Sequence, residues 1–361
     1  MKIMTVLGTR PEIIRLSLVI EKLDKYCHHV FVHTGQNYAD SLNKIFFSDL
    51  KLREPDYCLN VRSDTFSGQI GKIIAESEIL FLKEKPDRLL ILGDTNSGLV
   101  SLVAKRMGIP VFHLEAGNRC FDDRVPEEVN RRVIDHSSDV WLPYTERSRA
   151  NLLREGIPAE KIYVIGNPIS EVLRHYQKKI SGSRILEKLG LKSGGFFLVT
   201  MHRAENVDNK DRLSNILMSL DEISRKYRQP VIVSAHPRTK SKIKQFKLKA
   251  TGKDVRLLEP FGFFDFTALE TQARCIITDS GTVQEEGCIL GVPNLTIRDV
   301  TERPETIEYG SNLLAGVVPD FVLNALEVVL NENCDWTPPP EYLTHNVSSK
   351  VVKILLGYLN K

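Results

Sequence analysis

Cysteine is sparse and unpatterned. The six residues Cys27, Cys58, Cys120, Cys275, Cys288 and Cys334 form no CxxC pair and no His/Cys set at metal-ligand spacing. That pattern excludes a disulfide framework or a zinc-type site, and reduced, mostly buried thiols are expected, with no metal. Charge of one sign is also scarce, because 49 basic residues against 46 acidic ones leave a formal net charge of +3. A nucleic-acid partner is not expected from so small an excess. No apolar run is long enough to span a bilayer, and the first residues read as a strand with no signal peptide, so no membrane partner and a cytoplasmic location are expected. The first strand runs into Gly8-Thr9-Arg10-Pro11-Glu12, not into GxGxxG, which removes a leading dinucleotide site. Internal repeats and low-complexity segments are absent as well.

What remains is a 361-residue chain, 42% hydrophobic and 26% charged, the composition of a folded protein with room for two domains of ordinary size. Short apolar runs alternate with helical patterns. Strands are predicted at 3–7, 30–34, 88–92, 111–114, 140–143 and 163–165, with helices at 11–23, 67–84, 97–106 and 146–155 between them. After Gly166-Asn167-Pro168 and a polar stretch at 178–183 the rhythm restarts, with strands at 196–200, 231–234, 255–258, 275–278 and 294–297. This βα alternation predicts an α/β fold of two Rossmann-like domains facing each other across a cleft. The expected domains are residues 1–168 and 169–344, with a C-terminal helix within 345–361 returning to the first. In such sheets the ends of the strands line the ligand site.

Strand ends are therefore where chemistry is sought. Asp279-Ser280-Gly281 leads from an apolar run into a helix, an arrangement that points backbone N–H groups at a phosphate. Glu286, a turn or so along that helix, is placed to accept hydrogen bonds from a ribose hydroxyl pair. Arg10 follows the first strand as a candidate phosphate or carboxylate clamp, or else pairs with Glu12. Asp94 lies after the third strand and either caps a helix or faces the cleft. Glu115, between an apolar strand and Ala116-Gly117, has little structural reason to be there. Pro126-Glu127-Glu128 opens a helix, and the helix dipole accounts for one of the two glutamates. A cluster of carboxylates can hold an acid and a base at different proton affinities. His202 is a candidate donor to a leaving phosphate, and His236-Pro237 repeats the idea less strongly. The charge-dense turn 298–305 either closes the cleft or forms a salt-bridged surface loop. These groups fit chemistry on a sugar or acyl group carried by a nucleotide diphosphate, and they leave transfer, hydrolysis and epimerisation open.

Together the motifs resemble the non-hydrolysing UDP-N-acetylglucosamine 2-epimerases, a family with the two-domain fold of the GT-B glycosyltransferases. The likeness runs to about residue 310 and rests on Gly8 to Glu12, Gly93-Asp94-Thr95, His113-Leu114-Glu115-Ala116-Gly117, Pro126-Glu127-Glu128 with Asn130-Arg131, His202-Arg203, Asp279-Ser280-Gly281 with Gln284-Glu285-Glu286, and Thr301 to Glu305. It implies that Asp94, Glu115 and Glu127 handle the proton at sugar C2, with His202 as a further catalytic group. It also implies that Arg10, His202, His236, Phe263, Ser280, Gly281 and Glu286 hold the UDP moiety, with the 260–264 loop near uracil. The implied reaction eliminates UDP to a glycal and adds it back, needs no cofactor, supplies cell-surface polysaccharide precursors and takes place in a homodimer. Two departures stand out. Gly281-Thr282 replaces a common Gly-Gly, and Gln36-Asn37-Tyr38-Ala39 replaces the Gln-His-Arg-Glu string of members activated by a second UDP-sugar. The run Gly117 to Asp122, with Arg15-Leu16-Ser17, resembles a branch acting on UDP-2-acetamido-2,6-dideoxy-L-talose to give UDP-N-acetyl-L-fucosamine. A hydrolysing epimerase, a GT-B glycosyltransferase and a silent nucleotide-sugar binding module are the rival readings.

Overall fold

The apolar runs of the first part of the chain become strands buried on both faces, which is why they read as continuous hydrophobic stretches and not as alternating ones. In the computed structural model, which describes residues 1–35, 46–63, 65–250, 252–332 and 335–357, the chain divides into two units, Met1–Arg174 with Pro340–Lys361, and His175–Pro339. The first unit carries β1 (Lys2–Leu7), β2 (His28–His33), β3 (Tyr57–Cys58), β4 (Arg88–Leu92), β5 (Val111–Leu114) and β6 (Val140–Leu142). All pair in parallel, in the order β3-β2-β1-β4-β5-β6. One face packs Met4, Val6, Val32, Leu89 and Ile91 against Ile73, Leu80 and Phe81 of the Phe66–Glu84 helix. Strand order reverses between β1 and β4, and it is there that a doubly wound sheet opens a crevice at its C-terminal edge.

The C-terminal helix Val347–Leu356 belongs to this unit. Its buried face (Val347, Val351, Val352, Leu355) packs by the Arg10–Tyr26 helix. Burial of each such side chain contributes roughly 1.5–3 kcal/mol. Polar contacts fix its register: Lys22 Nζ donates to Ser348 Oγ and Ser349 Oγ, both at 2.7 Å, and the Ser348 N–H donates to Glu171 at 2.7 Å.

The second unit repeats the plan with β7 (Phe197–Met201), β8 (Val231–Ala235), β9 (Val255–Leu258), β10 (Cys275–Thr278), β11 (Asn294–Thr296) and β12 (Asn312–Leu314), in the parallel order β12-β11-β10-β7-β8-β9. Here the order reverses between β7 and β10. Val199, Met201, Val233, Ile277 and Leu295 meet Leu213, Ile216 and Leu220 of the Lys210–Tyr227 helix in the core.

Several local expectations change. The segment 163–165 is not a strand: an isolated bridge joins Trp141 to the preceding Ile162, and the Tyr163 and Ile165 N–H groups donate to Trp141 O and Pro143 O at 2.9 and 3.0 Å. Pro168 then opens a helix, which ends the extended run. The stretch 97–106 is not one helix but a 3-10 turn, Asn96–Leu99, followed by Val100–Arg106. Gly98 allows a close approach there, since a Cβ would come within 2.6 Å of Ile134 Cδ1. The polar stretch at 178–183 is itself largely helical, over Gln177–Ser181. Among the described residues no helix is long and apolar enough to cross a membrane.

Candidate active site

In the first unit the turns after β1, β4 and β5 are tied to one another by side chains. Glu12 is fully buried and accepts from the Gly8 N–H at 3.0 Å, the Thr9 N–H at 2.6 Å and the Thr9 hydroxyl at 2.6 Å. The Thr95 hydroxyl donates to its other oxygen at 3.1 Å, so one carboxyl joins the turn bearing Arg10 to the turn bearing Asp94. Burial pushes the Glu12 carboxyl up to about 7 against the lowering effect of these hydrogen bonds. The Arg10–Glu12 pairing open from sequence gives way to this arrangement. Arg10 instead lies over the Phe46 ring, 5.7 Å from its centroid, and burial draws its guanidinium below the usual arginine range.

Asp94 is half-buried and bound by Arg131, whose Nε and Nη2 lie 2.9 and 2.6 Å from Asp94 Oδ2. Asn130 Nδ2 donates to the Asp94 carbonyl at 3.0 Å. Glu115 occupies the left-handed region, with φ of 67°, a conformation that costs a non-glycine residue roughly 1–3 kcal/mol and is found at functional sites. Its carboxylate pairs with Arg15, itself 2% exposed and stacked on Tyr144. The strand ends are adjacent: the Gly93 N–H donates to Leu114 O at 2.9 Å, and a Cβ on Gly93 would sit 4.0 Å from Glu115 Oε1. Gly117, with φ of 80°, leaves no room for a Cβ beside Ser148 O.

Beneath these turns His113 bridges Asp135 Oδ1 and Gly93 O, both at 2.8 Å, and Asp135 also receives the Gly117 N–H at 3.1 Å and Arg119 at 2.8 Å. The two glutamates of the Pro126–His136 helix take separate parts. Glu128 is buried and receives the Cys120 and Phe121 N–H groups at 3.1 and 3.0 Å and Arg131 Nη1 at 2.6 Å. Burial would raise its carboxyl, but these donors hold it below the ordinary carboxylate range. Glu127, in the first turn, stays half-buried.

In the second unit Asp279, fully buried, organises the strand ends. Its carboxylate receives the His202 N–H at 3.0 Å, the Arg203 N–H at 3.0 Å and Asn206 Nδ2 at 3.2 Å, and His202 Nδ1 lies 3.4 Å away. The His202 and His236 rings, at the ends of β7 and β8, have centroids 6.2 Å apart. Ser280 is the N-cap of the Gly281–Leu290 helix, and its N–H donates to Thr278 Oγ1 at 2.9 Å. A Cβ on Gly281 would collide with Glu302, so glycine is needed at the start of that helix. The 298–305 turn is salt-bridged but not a surface loop: Arg298, Glu302 and Arg303 are buried, Arg298 Nη1 lies 2.7 Å from Glu302, and Arg303 pairs with Glu285. Phe263, first residue of the Phe263–Gln272 helix, packs on Tyr176 and Phe264 with centroids 6.4 and 5.5 Å apart. Glu286 is 4% exposed and meets the buried Glu270 carboxyl.

In the first unit, then, Arg10, Asp94 and Glu115 come together on neighbouring strand ends, with Glu127 on the helix that supplies Arg131. In the second, His202, His236, Ser280 and Gly281 come together, while Glu286 and Phe263 sit on the two adjoining helices. Sequence reading did not single out Arg15, Arg131, Asp279 or Glu270 as partners. For Arg15, Arg131 and Asp279 the only signal was membership in motifs or helices otherwise noted, and Glu270 lay in none of them. Gln36, Asn37 and Tyr38 lie outside the described residues. Among the described residues no group of three or more His, Cys, Asp or Glu is arranged to hold a metal ion.

The same layout recurs in known proteins. The crystal structure of a *Methanocaldococcus jannaschii* UDP-GlcNAc 2-epimerase in complex with UDP-GlcNAc and UDP superimposes with a TM-score of 0.94 at 43% identity, covering 98% of this chain and 99% of that one. The two parallel six-stranded sheets with their helices are the two-domain α/β GT-B fold. By sequence, the UDP-N-acetylglucosamine 2-epimerase of *M. jannaschii* is 44% identical over 98% of this chain and 99% of its own. A *Pseudomonas aeruginosa* UDP-2,3-diacetamido-2,3-dideoxy-D-glucuronate 2-epimerase is 36% identical over 92% of this chain and 93% of its own. A sequence model described as UDP-N-acetylglucosamine 2-epimerase matches residues 21–356. With carboxylates and phosphate-type donors at the strand ends and these relatives along nearly its whole length, the chain belongs to the UDP-N-acetylglucosamine 2-epimerase family.

Proposed function

We propose that this enzyme inverts C2 of a UDP-N-acetylhexosamine, converting UDP-N-acetylglucosamine to UDP-N-acetylmannosamine without releasing free sugar. The observation that carries the reading is the pair of adjacent strand-end carboxylates, Asp94 and Glu115, each held by its own arginine. The C2 hydrogen is too weakly acidic for simple abstraction. It leaves as a proton to a carboxylate while the C1–O bond to UDP breaks, giving a 1,2-unsaturated sugar. A proton then returns to C2 on the opposite face and a UDP oxygen re-forms the bond to C1. No net oxidation occurs, so the chemistry requires no redox cofactor.

Asp94, Glu115 and Glu127 supply and accept the protons, a contribution of roughly 10²–10⁴ in rate for well-placed groups. Arg131 and Arg15 keep Asp94 and Glu115 oriented. As UDP departs, negative charge grows on its phosphate, and fixed donors lower that barrier. Arg10, His202 and the N–H groups at the start of the Gly281–Leu290 helix take this part, each donor being worth about 10²–10³. His236, beside His202, extends the donor set. Glu286 accepts from the ribose hydroxyls, and Phe263 with the 260–264 loop lies at the base.

A second reading keeps the chemistry and changes the sugar to a 6-deoxy hexosamine, UDP-2-acetamido-2,6-dideoxy-L-talose. It is favoured by Gly117-Asn118-Arg119-Cys120-Phe121-Asp122 together with Arg15. Proton NMR in heavy water tests both. UDP-N-acetylmannosamine carrying deuterium at C2 is the expected product from UDP-N-acetylglucosamine. Free N-acetylmannosamine would overturn the non-hydrolysing reading. No reaction, with C2 exchange on the 6-deoxy substrate, would transfer the assignment to that sugar.

A further inference from the structure

His113 takes no step in the mechanism above, yet it reaches both turns that carry the reacting acids. Its side chain lies near the end of β5 and is 1% exposed. Nδ1 is 2.8 Å from Asp135 Oδ1, and Nε2 is 2.8 Å from the Gly93 carbonyl oxygen. A carbonyl oxygen only accepts, and so does an ionised carboxylate. A neutral imidazole has one N–H and would set a bare nitrogen against an oxygen on one side. Both contacts are hydrogen bonds only when both ring nitrogens carry hydrogen. The alternative is a protonated Asp135, and its surroundings oppose that. Asp135 Oδ2 receives the Gly117 N–H at 3.1 Å and lies 2.8 Å from Arg119 Nη2. Burial would raise the Asp135 carboxyl, but the His113 and Arg119 contacts hold it below the ordinary carboxylate range. Charge balance agrees. Arg119 also pairs with Glu155, its Nε 2.8 Å from Oε1, so an imidazolium gives the set two cations and two anions. Glu115, the other acid nearby, has its own partner in Arg15.

Gly93 leaves β4 with φ of 75° and Asp94 follows it directly, while Gly117, with φ of 80°, comes two residues after Glu115. Glycine turns of this kind are conformationally permissive, so their geometry depends on what holds them. We propose that His113 is a positioning residue for the epimerisation: protonated on both nitrogens, it clamps the Gly93 carbonyl and, through Asp135, the Gly117 N–H, fixing the spacing of Asp94 and Glu115. The proposal rests on the reading that these two acids move the proton at C2. Displacing a reacting group by about 1 Å costs on the order of 10²-fold in rate, which sets the size of the effect.

Two measurements on the full chain test it. The first is NMR at pH 7 with 15N-labelled histidine, the His113 ring being assigned by through-space contacts to Trp141, its partner on β6. Two ring N–H signals, slow to exchange with water, are expected. A single ring N–H overturns the proposal, and this result needs no variant to fold. The second follows deuterium entry at C2 in heavy water, beside UDP titration. His113→Leu removes both donors and is expected to lower kcat about 10²-fold with UDP affinity within about twofold of the parent. His113→Gln returns an amide N–H toward the Gly93 carbonyl and should recover kcat to within about tenfold of the parent. Parent-like kcat in His113→Leu, a loss confined to KM, or no recovery in His113→Gln overturns the proposal. Asp94→Asn and Glu115→Gln separate the two levels. If both turn over like the parent, the reading of the acids fails and the proposal falls with it. If both lose exchange while His113→Leu keeps it, the clamp alone is refuted.

Discussion

The two units share a sheet topology and place an acid at the same kind of position, just beyond a strand at the reversal of strand order, yet they hold that acid differently. In the first unit Asp94 and Glu115 are bound by guanidinium groups, with side chains 19% and 8% exposed. In the second, Asp279 has no exposure and is held by the His202 and Arg203 N–H groups and Asn206. A fully buried carboxylate held by fixed N–H donors shapes a loop and is closed to a ligand. The comparison teaches that strand-end position does not assign a role. The partners differ: guanidinium for the acids proposed to react, backbone N–H for the acid behind the proposed donor site.

The largest expected effect tests the reacting side. Asp94→Asn, Glu115→Gln and Glu127→Gln should each reduce turnover by about 10²–10⁴ while leaving UDP affinity within a few fold. Steady-state rates beside UDP titrations measure both. Parent-like turnover in all three would break the distinction between the units.

A smaller effect, shared between binding and rate, is expected on the donor side. Arg10→Ala and His202→Ala should weaken UDP binding and also slow turnover by about 10²–10³, because the departing phosphate charge meets these groups in both states. A loss confined to KM, with kcat unchanged, would mean that they bind the nucleotide without assisting its departure.

Much of this contrast is legible in the chain. Parallel sheets bury continuous apolar runs, so a polar residue at the end of a run stands out, and Asp94, Glu115, His202 and Ser280 are found that way. Partners are harder to read. Arg15 and Arg131 sit on helices where an arginine is unremarkable until the helix is docked, and the Arg15–Glu115 pair spans 100 residues of sequence. Asp279 belongs to a recognisable motif, yet nothing local says that its carboxylate faces the turn after β7, 76 and 77 residues earlier. Glu270 reads as an ordinary helical residue, because burial of a helix face is decided by tertiary packing. Strands β3 and β12, two and three residues long, are too short for any periodicity to show. The dense charge of the 298–305 turn fitted a cleft-closing segment or a salt-bridged surface loop equally, and burial of Arg298, Glu302 and Arg303 is set by pairing within the turn and with the neighbouring helix, which no local pattern shows.

Glu12 sharpens the comparison, being a first-unit acid held in the second-unit manner, by two backbone N–H groups and two hydroxyls. Its carboxyl is raised from an ordinary 4.5 to about 7, with burial as the main cause. The folded protein therefore holds this proton more tightly than the unfolded chain does. Its contribution to stability is fully present below about 4.5 and is lost as pH rises through about 7, with a slope of at most about 1.4 kcal/mol per pH unit. Asp135 and Glu128, both held below the ordinary carboxylate range, act in the opposite sense and at lower pH, so the windows separate. Glu12→Gln cannot titrate, and its thermal midpoint plotted from pH 4.5 to 7.5 should fall less steeply than that of the parent. The turn it anchors leads to Asp94 through Thr95, so the parent's pH–rate profile should also carry an inflection near 7 that the variant lacks. Superimposable slopes in both plots would show that the four hydrogen bonds outweigh burial and keep this carboxylate ionised.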